Sequence, residues 1–172
     1  MSSSQPEPNA ESFTSELAWQ NTEPDCLVIC CSDHRFERQT RDLAAHLNFR
    51  NPHVLQIPSG AALSLPLISS INFLSKAADR IIERVVEMKR VRNILLVAHH
   101  DCGAYKAERV SLLTNLVQRY SGKAIHDLQR DHLAQAARRL RLGLRGVQVR
   151  AFFADVVGEG DRSRVRFTEV SV

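Results

Sequence analysis

A chain of 172 residues, 44% hydrophobic and 24% charged, has the composition of an ordinary globular protein and not of a disordered one. Its formal charge of +4 is modest; the arginines between Arg130 and Arg150 alternate with Leu133, Ala137, Leu140 and Leu144 at helical spacing and lack the interleaved aromatic rings of a nucleic-acid surface. No apolar run is long enough to span a bilayer, the first residues lack the order of a secretory signal, and the four cysteines fit no disulfide framework. These features predict a cytoplasmic protein without nucleic-acid or membrane partners.

In chain order, residues 1–22 read as a partly flexible arm, polar with two prolines and then mildly amphipathic around Phe13, Leu17 and Trp19. Residues 23–172 read as a single α/β domain. A first strand is expected at about 26–31, then a helix at 36–47 with Leu43, Ala44 and Leu47 on one face. A short strand at 53–57 is stopped by Pro58 and Gly60. A long helix follows at 66–90, with Pro66 in the first turn, where its missing N–H has no helical partner. Ile68, Ile71, Leu74, Ala78, Ile81, Val85 and Met88 keep its three-and-four spacing.

The third strand, 93–98, is apolar throughout, as a parallel strand covered on both faces must be. Helical patterns at 106–120 and 123–143 flank Ser121-Gly122, Gly146 opens a fourth strand at 147–154, and the alternation at 164–170 marks a half-exposed edge strand. This succession predicts an α/β fold, a mostly parallel sheet with helices on both faces, strand order 2-1-3-4 and an antiparallel edge strand. The carboxyl ends of strands one and three then flank the topological switch point, where open α/β sheets bind ligands.

Both chemically informative segments fall there. Cys31-Ser32-Asp33-His34-Arg35 follows the first strand and His99-His100-Asp101-Cys102-Gly103 the third. Zinc takes thiolate sulfur and imidazole nitrogen in a tetrahedron, and a catalytic site leaves one position open. Cys31, His99 and Cys102 are the candidate metal ligands. Asp33 is either a fourth ligand or an acceptor for a hydrogen bond from water, with Arg35 holding it as a bidentate pair. Cys26 and Cys30 read as buried core thiols. His34, His46, His53, His126 and His132 read as surface or capping residues, and His100 as a group lining the pocket. A cysteine-phosphatase loop is excluded, because Arg35 follows Cys31 and Cys30 too closely to wrap a phosphate.

These residues resemble the β-class carbonic anhydrases, whose signature is Cys-x-Asp-x-Arg after the first strand and His-x-x-Cys, usually with Gly next, after the third. The resemblance covers about residues 26–105. It implies a zinc enzyme that reversibly hydrates carbon dioxide to bicarbonate through a metal-bound hydroxide, with Asp33 and Arg35 as catalytic residues and Zn2+ as cofactor. It further implies a homodimer or higher homo-oligomer. Two departures mark this chain: Pro58-Ser59-Gly60-Ala61-Ala62 replaces the family's Arg-Asn-Ala-Gly type of stretch, and His100 replaces a small hydroxylated residue. They leave as alternatives a zinc site that hydrolyses carbon disulfide or carbonyl sulfide, and a non-catalytic zinc-binding module closed by Asp33.

Overall fold

Five strands, β1 (Cys26–Cys30), β2 (Pro52–Gln56), β3 (Asn93–His99), β4 (Gln148–Val157) and β5 (Arg164–Glu169), make one sheet in the computed structural model. Residues 14–18, 21–60, 62, 72–106, 118, 119 and 121–172 are described. The strand order is β2-β1-β3-β4-β5. The first three pairings are parallel and β4–β5 is antiparallel. This is the α/β order that the sequence predicts.

The pleat divides the core in two, because successive side chains of a strand point to opposite faces. Leu27 and Ile29 of β1, Ile94 and Leu96 of β3, and Val149, Ala151 and Phe153 of β4 form one buried cluster. Ile82 and Val86 cover it from α2 (Asn72–Lys89), and Leu133, Ala136, Ala137 and Leu140 cover it from α4 (Ile125–Gly143). The intervening residues Cys26, Val28, Cys30, Leu95, Val97 and Phe152 pack on the opposite side with Leu43 and Ala44 of α1 (Glu37–His46). Cover on both faces is why β1 is buried at all five positions.

Where the boundaries differ from expectation, tertiary contacts account for it. β4 continues to Val157 because its second half is paired through Val157↔Arg164 by the returning edge strand. The helix expected from Phe36 begins one residue later, because His34–Phe36 closes a tighter 3-10 turn capped by Asp33. Gly103–Lys106 forms a single helical turn, α3; most of the pattern at 106–120 lies outside the described residues, as do Pro66, Phe13 and Trp19. Leu17 is exposed. No helix among the described residues is long and apolar enough to cross a membrane.

One histidine expected at the surface is instead in the core. His132 is 4% exposed. It lies on the inner face of α4, beside Leu133 and one turn from Gln129 and Ala136, all buried. His34, His46 and His126 are exposed and His53 is half-buried.

Candidate metal centre

Cys31 stands one residue past β1 and His99 is the last residue of β3, so the sheet itself brings these two donors to neighbouring strand ends. Cys30 belongs to the α1 side of the sheet. Cys31, next along the pleat, turns away from it and packs with Ala62, Cys102 and Tyr105. Cys102 reaches the same place through a turn in which Asp101 takes φ +57°, a left-handed conformation that Asp tolerates better than most residues.

The three donor atoms lie within 4.8 Å of one another. Cys31 Sγ and Cys102 Sγ are 3.7 Å apart and unbridged. Two sulfurs bound to one tetrahedral zinc at 2.3 Å stand about 3.8 Å apart, so the spacing suits the ion. The third donor is explicit about its protonation. His99 Nδ1 lies 2.7 Å from the His100 carbonyl oxygen, which only accepts, so Nδ1 carries the proton. Nε2 then presents a bare lone pair, and it is buried without a hydrogen-bond partner. An unsatisfied buried acceptor is costly; a cation between it and the two sulfurs satisfies it. Phe36 stacks on the His99 ring at 4.3 Å and fixes its plane.

The thiols are already differentiated. A hydrogen bond from Cys102 holds the Cys31 thiol below its ordinary range, aided by the nearby His99 ring and then by the backbone N–H of Asp33, while burial opposes the shift. The same contact and burial push Cys102 up. At 3.7 Å the two sulfurs are close enough to share one hydrogen bond, and binding both to a metal would release its proton.

Asp33 is turned to Arg35 and is not part of the three-donor group. Arg35 Nη2 donates to Asp33 Oδ2 at 2.6 Å, and Nε lies 3.0 and 3.1 Å from the two carboxylate oxygens. The Arg35 backbone N–H adds a bond of 3.1 Å to Oδ1. The guanidinium holds the Asp33 carboxyl down at about 2. Two further groups, not singled out from sequence, extend this pair. Arg35 Nη1 stands 3.8 Å from Asp101 Oδ2, and Lys106 Nζ binds Asp101 Oδ1 at 2.5 Å. Arg35 and Asp101 lie far apart in sequence, so their contact gave no local signal.

An open cavity of about 340 Å³ is lined by Cys31, Asp33, His34, Pro58, Ser59 and Gly103. Pro58 and Ser59, which open the atypical 58–62 stretch, thus form part of its wall. Gly60, at φ +58°, presses on the strand ends: a Cβ there would meet the Val97 carbonyl oxygen at 3.2 Å and Cys31 N at 3.3 Å. A second cavity of about 260 Å³, which shares no lining residue with the first, is lined among others by His100, Cys102, Tyr105, Lys106, His126 and Gln129. His100 is therefore at a pocket, but not at the one that Asp33 lines. It is fixed by its backbone N–H to Ala154 and by Val156 N–H, which approaches its Nδ1 at 3.4 Å.

No protein-family model and no curated protein matches the sequence. Solved structures do. A tetrameric β-carbonic anhydrase of Sordaria macrospora superposes with a TM-score of 0.53 at 20% identity, over 87% of this chain and 82% of that one. The carbonic anhydrase of Streptococcus mutans gives 0.52 at 17% identity, over 92% and 88%. The β-carbonic anhydrase CafA of Aspergillus fumigatus gives 0.52 at 17%, over 87% and 77%. At such identities the likeness establishes the fold: this chain has the β-carbonic anhydrase fold.

Proposed function

We propose that this protein is a zinc-dependent enzyme of the β-carbonic anhydrase type that reversibly hydrates carbon dioxide. The observation that carries the reading is the convergence of Cys31, His99 and Cys102 at two strand ends, with the unpartnered His99 Nε2 among them. Cys31, His99 and Cys102 would hold zinc, which would supply hydroxide near neutral pH by lowering the pKa of water to about 7.

The chain's own residues do the rest. The two thiolates would offset the charge of the ion, and the neutral imidazole would add a third donor without charge. Asp33, kept ionised by Arg35 at the wall of the open cavity, acts only as an acceptor, the state needed to orient a water for attack. Because Arg35 grips both carboxylate oxygens, Asp33 keeps its place without becoming a ligand. This arrangement favours the orienting role over the closed, non-catalytic alternative. The cavity gives a small neutral substrate access to the same point. Assembly into homo-oligomers belongs to the same reading, since neighbours of this fold include tetrameric enzymes.

Metal analysis of the purified protein, followed by stopped-flow hydration of carbon dioxide in mildly alkaline buffer, tests the proposal. Stoichiometric zinc and a rate above the buffer's own are expected. A zinc-loaded protein with no such rate overturns the substrate. Sulfide release from carbon disulfide or carbonyl sulfide by that same protein would then identify hydrolysis at the same site.

A further inference from the structure

The three candidate ligands are not held equally. Cys31 follows a strand laddered to β3 through Cys30↔Val97, and the adjacent Ser32 N–H binds the Ile57 carbonyl at 3.2 Å. His99 pairs with Ala154 in the sheet, and the next N–H, of His100, binds the Ala154 carbonyl at 3.0 Å. Cys102 has no strand partner. Its carbonyl accepts the Tyr105 N–H at 3.0 Å, so the turn that carries it is as fixed as Tyr105 is.

Tyr105 is tied down by a contact that the Asp33 chemistry does not use. Its hydroxyl lies 2.9 Å from His132 Nδ1. The two rings stack with centroids 5.7 Å apart at an interplanar angle of 21°. Both residues are buried, at 7% and 4% exposure. Burial raises the phenol and lowers the imidazole from their ordinary ranges, so a neutral Tyr105 O–H donates to a neutral ring. His132 sits on α4, whose next residue, Leu133, and whose Ala136, Ala137 and Leu140 are fixed in the main core. On its other side, Tyr105 packs against Ala62 and Cys102, with Cys31 alongside. A Phe here would fill the same space, but it would leave the turn free to slide and a buried imidazole nitrogen unpaired.

We infer that Tyr105 and His132 are positioning residues: their hydrogen bond fastens the Cys102 turn to α4 and sets that sulfur against Cys31 and His99 before a metal arrives. The inference rests on the metal reading above, and it concerns how tightly the ion is held.

The test compares wild type, Tyr105→Phe, His132→Asn and the double variant Tyr105→Phe/His132→Leu, each loaded with zinc. Zinc release to a chelating dye and the absorption spectrum of the cobalt-substituted proteins are read at a temperature where all are folded. Tyr105→Phe should release zinc about tenfold faster, the low end of what losing an outer hydrogen-bond partner costs a metal site, and shift the cobalt bands. His132→Asn, whose Oδ1 stands where Nδ1 stood, should stay near wild type. The double variant removes both polar partners and should recover thermal stability while still releasing zinc fast, which separates positioning from stability. Unchanged release in Tyr105→Phe, or recovery of both properties in the double variant, overturns the inference alone. If Tyr105→Phe does not fold, His132→Leu carries the same comparison against His132→Asn. A wild type that holds no zinc overturns the metal reading and this inference with it.

Discussion

Four thiols stand within one small part of this molecule, and they divide by their position along a strand. Cys26 and Cys30 lie inside β1 on the side covered by α1, fully and almost fully buried. Burial pushes both up to about 12, so they remain protonated and act as small hydrophobes. Cys31, one residue further, lies past the last rung of the ladder. It is half-buried, lines an open cavity, and is shifted in the opposite direction by Cys102. Inside a strand, neighbouring backbone groups are consumed by the sheet and a side chain meets only apolar cover. Past the strand's end, free backbone N–H groups and turns from other elements converge. Adjacent residues of one type thereby take opposite roles.

Removing each kind of thiol is the sharpest way to break that comparison. Cys31→Ala and Cys102→Ala should lower zinc affinity by more than the roughly 10–100-fold that loss of an outer hydrogen-bond partner costs. Cys30→Ala should keep the metal and lose about 1 kcal/mol of stability. Metal content after gel filtration and thermal denaturation read the two effects. Equal zinc loss in Cys30→Ala would erase the division between strand interior and strand end.

Next in size is the division of labour between holding the ion and using it. Asp33→Asn keeps the shape of the side chain but weakens the grip of Arg35 and removes the ionised acceptor. Hydration of carbon dioxide should fall about a hundredfold, the low end for a lost acid–base group, with zinc retained. Loss of metal together with rate would instead place Asp33 among the ligands. Gly60→Ala tests the backbone beneath both. At its φ of +58° a side chain is strained, and a methyl group 3.2–3.3 Å from Val97 O, Cys30 C and Cys31 N would force the backbone to give by a few tenths of an ångström. A loss of about 1–3 kcal/mol is expected from the strained conformation, read by urea denaturation, with a larger effect on zinc release than Cys30→Ala has.

The strand order was legible because the apolar runs 26–30 and 94–98 admit only a covered, central place in a sheet. The two ligand segments were legible because chemistry-bearing residues directly follow those runs. What escaped was set by contacts distant in sequence. His132 carries a polar ring and reads as surface, yet it falls at helical spacing with Gln129, Leu133 and Ala136 on the buried face of α4; the signal was the stripe, outweighed by residue type. Tyr105 gave no sign of its partner 27 residues away. Phe36 over His99 and Asp101 beside Arg35 likewise exist only once β1 and β3 are neighbours.

The smallest effect is expected lower on the sheet, away from the carboxyl ends of β1 and β3. Arg150 of β4 donates to both carboxylate oxygens of Glu169 on β5, at 2.9 and 2.8 Å. The guanidinium lowers the Glu169 carboxyl below its ordinary range. A carboxyl depressed in the folded state stabilises the protein above its unfolded pKa, and that contribution fades as pH falls through the folded value. Half-exposed and screened, the pair is worth no more than about 1 kcal/mol. Glu169→Gln should therefore lower stability slightly at pH 7, by a difference that shrinks on acidification below the ordinary glutamate range and with added salt, while zinc retention stays at the wild-type level. A pH-independent loss would assign the effect to packing of β5 instead. Loss of zinc would mean that the two ends of the sheet are coupled, against the local picture of a site built where strands stop.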